Sequence, residues 1–291
     1  MKQHASAALV GKVAVITGST QGLGLAIARA FVDAGAAVVV SNHVVADVER
    51  AVAYLRGRGA TATGQVCDVR ERAQVAALAQ AAVSAFGKID IWVNNAGVTA
   101  IQGPTVAVPA DNFTRVIQTN ILGTYHGSLA ALRHMQPRHS GKLINMVGQG
   151  EQRPNPYGNA YGSSKTWIRS FTLAVAEEQR ASGIGVFTLN PGLLDTPLTR
   201  QMRVIEGYES RAQAFDRIAR LVAVPPEESA KLALWLASAA TDGKTGLEVR
   251  APVVSRLLRG AVRVLVQTLL RRADGPWVTY QRVEDESSAL P

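Results

Sequence analysis

A single cysteine, Cys67, stands in the whole sequence, so no disulfide can form within the chain. Such a composition suits a reducing cytoplasm, which is the expected location. Cys67 closes an apolar run and reads as a small buried residue. Although 47% of the residues are hydrophobic, their runs are short and scattered. None approaches the ~20 consecutive apolar residues of a membrane span. There is no internal repeat and no low-complexity stretch. His126, His134 and His139 have no carboxylate or cysteine at ligand spacing, so no catalytic metal is expected. Acids are missing between Arg250 and Arg272, where six arginines fall. Those six make up most of the formal net charge of +9. Basicity this local is a poor match to a nucleic-acid surface, and no nucleic-acid partner is expected.

What is present is an alternation of strand and helix across 291 residues, enough for one substantial core. Residues 1–10 read as a tail running into a first strand rather than as a signal peptide. Strands are expected at Lys12–Thr17, Ala37–Ser41, Thr63–Cys67, Ile89–Asn94, Lys142–Val147, Gly185–Leu189 and Gly246–Val249. Helical stretches lie between them, with long ones at Asp111–Met135 and Ala160–Ala181. Crossover connections of this kind build a parallel sheet, so residues 11–249 are expected to form one α/β, Rossmann-type, doubly wound domain of about seven strands. Ligands then bind at the carboxyl ends of the strands.

Between the first strand and first helix runs Thr17-Gly18-Ser19-Thr20-Gln21-Gly22-Leu23-Gly24. Glycines there permit a tight turn and let a diphosphate approach backbone N–H groups at the helix N-terminus. A plain βα loop would also carry glycines, so context must decide. The context continues with Asn94-Asn95-Ala96-Gly97, Asn120, Tyr161-x-x-x-Lys165, Asn190-Pro191-Gly192 and Thr196-Pro197. In order and spacing this set resembles the short-chain dehydrogenase/reductase family over roughly residues 11–249. The resemblance implies a nicotinamide cofactor held by Gly18, Thr20, Gln21, Gly22, Leu23 and Gly24, with Asn95, Ala96 and Gly97 behind it. It further implies Pro191, Gly192 and Thr196 at the nicotinamide, and Asp68 and Val69 at the adenine.

An acid after the second strand would hydrogen-bond an adenosine ribose and repel a 2′-phosphate. Asn42, with His43, takes that place here and is neutral. NADP or NAD is therefore expected, with NADP slightly favoured. Solvated turn residues would look the same.

Tyr161 and Lys165 are four residues apart and project from one helix face. A phenol has a pKa of about 10, and a neighbouring ammonium is expected to lower it. By resemblance Tyr161 is the acid/base, Lys165 also holds the nicotinamide ribose, and Asn120 anchors a water in a proton relay. Most of the family carries a serine thirteen residues before the tyrosine; here that residue is Gly148, after Val147. Losing a preorganised donor costs a few kcal/mol of transition-state stabilisation. Gln149, Asn159 or a water is expected to replace it, or Gly148 to make room for a bulky substrate. A serine restored at 148 would then help a small ketone.

The function expected is interconversion of a carbonyl and a secondary alcohol. Dehydration, isomerisation or epimerisation on the same fold, or nucleotide binding without catalysis, are the alternatives. Gly148, Gln149 and Tyr157 are the candidate substrate contacts, and Leu198–Leu221 the lid implied by the family. A homodimer or homotetramer through the two long helices is implied likewise. Residues 250–291 depart from the family. Arg256, Arg259, Arg263 and Arg271 form a stripe on an expected amphipathic helix. Packing on its own domain or a copy, an anionic membrane surface and an acidic carrier protein are its candidate contacts. Beyond it, Trp277–Val283 alternates like a short strand.

Overall fold

The computed structural model of the protein describes residues 8–252, 257 and 276–285. The basic helix expected after residue 253 lies almost wholly outside the described residues. Strands β1 (Val13–Ile16), β2 (Ala37–Asn42), β3 (Ala62–Val66), β4 (Ile91–Asn94), β5 (Gly141–Met146) and β6 (Ile184–Asn190) alternate with helices. These are α1 (Gly22–Asp33), α2 (Val45–Arg56), α3 (Arg72–Phe86), α4 (Ala110–Val116), α5 (Gly123–Met135) and α6 (Asn159–Glu178). Then come α7 (Pro197–Arg200), β7 (Gln201–Ile205), α8 (Glu209–Val222), α9 (Pro226–Ala237), β8 (Glu248–Arg250) and β9 (Thr279–Val283).

Seven strands form one sheet in the order β3-β2-β1-β4-β5-β6-β8, every pair parallel. The α/β architecture and strand count expected from the sequence are both found. Strand order reverses between β1 and β4, and the crevice at this switch point is where ligands bind in such sheets. Covered on both faces, the central strands read as unbroken apolar runs; all four residues of β1 are buried. Ala14, Ile16 and Val93 face α1 and α9, where Ile27, Phe31 and Leu236 pack. Val15 and Trp92 face the other side, against Leu78, Ala131 and Val175. Each of these larger side chains stabilises the fold by roughly 1.5–3 kcal/mol when fully buried.

Polar residues tie the carboxyl ends of β4 and β5 together. Asn94 Nδ2 donates to Asn145 Oδ1 at 2.8 Å, and Asn145 Nδ2 to Thr172 Oγ1 on α6 at 2.9 Å. Trp92 Nε1 donates to Asn94 Oδ1 at 2.8 Å, so the network is satisfied without water. The helix expected over Asp111–Met135 is continuous, but it widens into a π-helical segment at Ile117–Leu122. Among the described residues no helix is long and apolar enough to cross a membrane.

The segment after Thr196 is not a pair of helices alone. β7 leaves α7 and pairs in parallel with β9, from Gln201 opposite Thr279 to Ile205 opposite Val283. Ile205 N also donates to Gln102 O at 2.9 Å, joining this small sheet to the domain. Val278 N donates to Asp216 Oδ1 on α8 at 2.8 Å, and the Arg200 guanidinium lies 4.9 Å from the Trp277 ring centre. Arg282 pairs with Glu209 at 2.9 Å. The strand expected near residue 280 is therefore present, and it is stitched to the expected lid. Deleting residues 276–291 should leave the seven-stranded sheet folded but expose 200–222 to trypsin; unchanged cleavage kinetics there would refute the stitching role.

Candidate functional site

Thr17 ends β1 and fixes the loop that follows. Its Oγ1 accepts from Asn95 N and Ala96 N, both at 3.0 Å. Asn95 Nδ2 in turn donates to Thr17 O and Gly18 O at 2.9 Å. Gly18 and Gly22 have positive φ, 59° and 52°, which side chains disfavour. A Cβ on Gly18 would sit 2.9 Å from Ala96 Cα, and one on Gly24 2.3 Å from Gly18 O. The loop thus lies backbone to backbone against the end of β4. Helix α1 starts here with no acid in its first turn and no side-chain cap, which leaves its first N–H groups for a ligand.

A cavity of about 500 Å³ runs from this loop to Tyr161. It gathers the expected loop residues Gly18, Gln21, Gly22, Leu23 and Gly24, with Asn95, Ala96 and Gly97 on its floor. Asn42 and His43 form one side of its far end, Asp68 and Val69 the other. Pro191, Gly192 and Thr196 border the near end. Thr20 does not line it and instead accepts a hydrogen bond from Asn42 Nδ2. Arg70, which sequence reasoning passed over, is on the wall and holds the Asp68 carboxyl below the usual carboxylate range. Burial, then Asp68, pushes the Cys67 thiol up to about 12, as suits an inert buried cysteine. Among the described residues no cluster of three or more His, Cys, Asp or Glu could hold a metal ion.

Asn120 sits in the π-helical segment and is fully buried. Its Oδ1 accepts from Val98 N at 2.9 Å, and its Nδ2 donates to Val98 O and Ser164 Oγ at 3.1 and 3.0 Å. That bracket holds the strand end after Gly97 against α6. Lys165 Nζ donates to Met146 O at 3.0 Å and lies 5.5 Å from the centre of the Tyr161 ring. Burial pushes the Lys165 amine down to about 8, opposed by the carboxylate of Glu151.

The expected lowering of the Tyr161 phenol is overturned. Burial, then Glu151, pushes it up to about 12. The ring packs with Val98, Ala100, Val116 and Ala160, and desolvation there outweighs the lysine, whose own hold on its proton is weakened.

A Cβ on Gly148 would sit 2.7 Å from the Tyr161 hydroxyl. That hydroxyl already fills the room a side chain at 148 would need, so a serine there must first displace it. Gln149 Nε2 is engaged with Asn155 Oδ1 at 3.3 Å and Asn159 Nδ2 with Thr105 Oγ1 at 2.6 Å, so neither expected substitute is brought to Tyr161. Tyr157, with positive φ of 67°, stacks under Arg211 of α8 at 4.1 Å and meets Tyr208 at 5.9 Å. It belongs to the wall where α8 closes on the domain.

Residues 12–206 match the short chain dehydrogenase family. The chain belongs to that family. Glucose 1-dehydrogenase 2 of Bacillus subtilis is 31% identical over 240 residues, covering 82% of this chain and 92% of the relative. A variant of the actinorhodin polyketide ketoreductase, solved with NADPH, superposes with a TM-score of 0.75 at 30% identity, covering 83% of this chain and 96% of that one. A 3-ketoacyl-(acyl-carrier-protein) reductase of Brucella melitensis, solved with NADH, gives 0.73 at 30% identity, covering 84% and 97%.

Within this short-chain dehydrogenase fold Glu151 is a residue that sequence reasoning missed. It is 5% exposed, and its Oε1 accepts from Asn190 Nδ2 and from Arg250 Nε, each at 2.9 Å. In the sequence it stands within GQGEQR, a polar stretch with no periodicity to mark it as buried. The glycine loop yields a direct test. Gly24→Ala should weaken NADPH binding by at least about tenfold, since 1.4 kcal/mol is one decade and the Cβ has no room, while circular dichroism stays that of a folded chain. An unchanged affinity would disprove the close approach.

Proposed function

We propose that the protein is an NAD(P)-dependent oxidoreductase that interconverts a carbonyl and a secondary alcohol. The observation carrying this reading is the convergence of Tyr161 and Lys165 at the end of the cavity that begins at the glycine loop. The residues suit a dinucleotide: Gly24 leaves no space for a Cβ, and the N-terminus of α1 carries neither acid nor cap. Gly18 to Gly24 would hold the diphosphate, and Asn42, His43, Asp68 and Val69 the adenosine. Asn95, Ala96, Gly97 and Lys165 would hold the nicotinamide ribose, with Pro191, Gly192 and Thr196 at the carboxamide. When bound, the cofactor supplies or accepts a hydride. The neutral, hydrogen-bonded Asn42 does not repel a 2′-phosphate, which favours NADP slightly.

Tyr161 donates its proton to the carbonyl oxygen in reduction: burial keeps the phenol protonated until the cofactor and substrate occupy the site. Lys165, buried and near 8, would orient the ribose, and its ammonium would favour the phenolate that forms when Tyr161 gives up its proton. Asn120 holds the relay in register through Val98 and Ser164. With glycine at 148 in place of the family's serine, the substrate oxygen relies on Tyr161 and the Gly148 backbone. Gln149 and Tyr157 do not line the cavity that reaches Tyr161, and as substrate contacts they would act from the turn before α6.

Exposed Phe113, Leu122 and Tyr125, with Trp167 stacked on Phe171, form an aromatic face on the α4–α5 and α6 helices. This face supports a homodimer or homotetramer. Light scattering should give two or four chains, and Tyr125→Glu should lower the count; a monomeric wild type would refute it.

Turnover is tested with NADPH, and separately NADH, against ethyl 4-chloroacetoacetate and a panel of ketones, read at 340 nm. Tyr161→Phe should lose about a hundredfold or more in kcat while still binding NADPH. An unaltered rate in that variant would remove Tyr161 from the chemistry. Conversion without net change at 340 nm would point to isomerisation or epimerisation, and binding without turnover to a regulatory role.

A further inference from the structure

The turn after β5 brings a buried acid close to the reacting pair. Glu151 N donates to Gly148 O at 3.2 Å, closing the turn that passes the Tyr161 hydroxyl. At Gly150, φ is +96°, and a Cβ there would sit 2.3 Å from Gly162 Cα, so the turn is pressed against α6. The Glu151 side chain then leaves the turn for the end of β6. There Asn190 Nδ2 donates to its Oε1, and Asn190 Oδ1 accepts from Gly192 N, each at 2.9 Å. Arg250, the last residue of β8, supplies a second donor to the same oxygen at 2.9 Å.

We propose that Glu151 is a positioning residue for this reaction, tying the Gly148 turn to the Pro191–Gly192 loop and keeping a negative charge near Tyr161 and Lys165. The proposal rests on the oxidoreductase reading of that pair. A carboxylate in this place is costly to bury and persists because Arg250 and Asn190 satisfy it. Its carboxylate meets Arg250 of β8 and neutral Asn190 of β6, and its charge acts on Tyr161, Lys165 and Arg169 of α6. Arg169 is itself paired with Glu248 of β8. Negative charge favours the protonated form of both members of the pair: the neutral phenol over phenolate, and the ammonium over amine. Glu151 acts on each in that direction. Its loss therefore lowers both, whichever of the two titrates in the accessible range.

Both hydrogen bonds end on Oε1, so a glutamine retains both acceptor contacts and removes the charge alone. Lys165 is followed by NMR in protein carrying ¹³C-lysine, its resonance assigned with Lys165→Arg, so the measurement needs no substrate. The wild-type midpoint should lie near 8. E151Q should move it to lower pH by roughly half a unit or more, and E151D, which keeps the charge, should hold it near the wild-type value. The alkaline limb of kcat/KM for reduction of ethyl 4-chloroacetoacetate should move the same way. Asn190→Ala should instead leave the lysine midpoint in place and weaken NADPH binding several-fold, because it cuts the tie without altering charge. An E151Q midpoint that matches wild type, or unaltered NADPH affinity in Asn190→Ala, overturns the proposal. If E151Q is not recovered folded, a displaced midpoint in E151D overturns the charge role. A lysine midpoint that moves as stated while Tyr161→Phe keeps full activity separates failure of the oxidoreductase reading from failure of this inference.

Discussion

Backbone meeting backbone at the switch point is the constraint on which the site depends. Gly24 lies against Gly18 O and Asn95, and Gly18 against Ala96, with less space than a methyl group requires. Asn95 and Thr17 lock this approach with reciprocal hydrogen bonds across β1 and β4. A loop held this closely presents its N–H groups at fixed positions, which is what an anionic diphosphate needs from a helix terminus. The same closure sets where the cavity begins, and so how far it must run to reach Tyr161.

At the other end, desolvation rather than direct charge pairing sets the proton affinities of the buried pair. Tyr161 and Lys165 share a helix face as their spacing requires, but burial favours the neutral form of each, raising the phenol and lowering the amine. The phenol therefore keeps its proton here. Glycine at 148 fits this arrangement, since the phenol hydroxyl leans into the space a side chain would occupy.

Away from the reacting groups, the segment after Thr196 is held by a strand from far along the chain. β9 gives β7 a hydrogen-bonded partner that would otherwise be an open edge, and Val278 and Asp216 extend the tie to α8. Tyr157, Tyr208 and Arg211 stack where this assembly meets the domain. This wall is thus shared between the turn before α6 and the stitched segment.

Whereas Asn120 was marked only by the family resemblance, periodicity and local spacing determined the seven-stranded parallel sheet, the glycine loop, and the pairing of Tyr161 with Lys165 on one helix face. These are properties of neighbours in the chain, where apolar runs, turn residues and helical repeat act over a few positions. Tertiary structure alone decided the direction in which Tyr161 is shifted, because burial depends on Val98, Ala100 and Val116, which come from other elements. It also decided that Gln149 and Asn159 are engaged away from the phenol, and that β9 pairs with β7 across more than seventy residues of sequence. Glu151 belongs to the same class: its partners Asn190 and Arg250 lie on two later strands, and only the folded sheet brings their charges and dipoles to one buried oxygen.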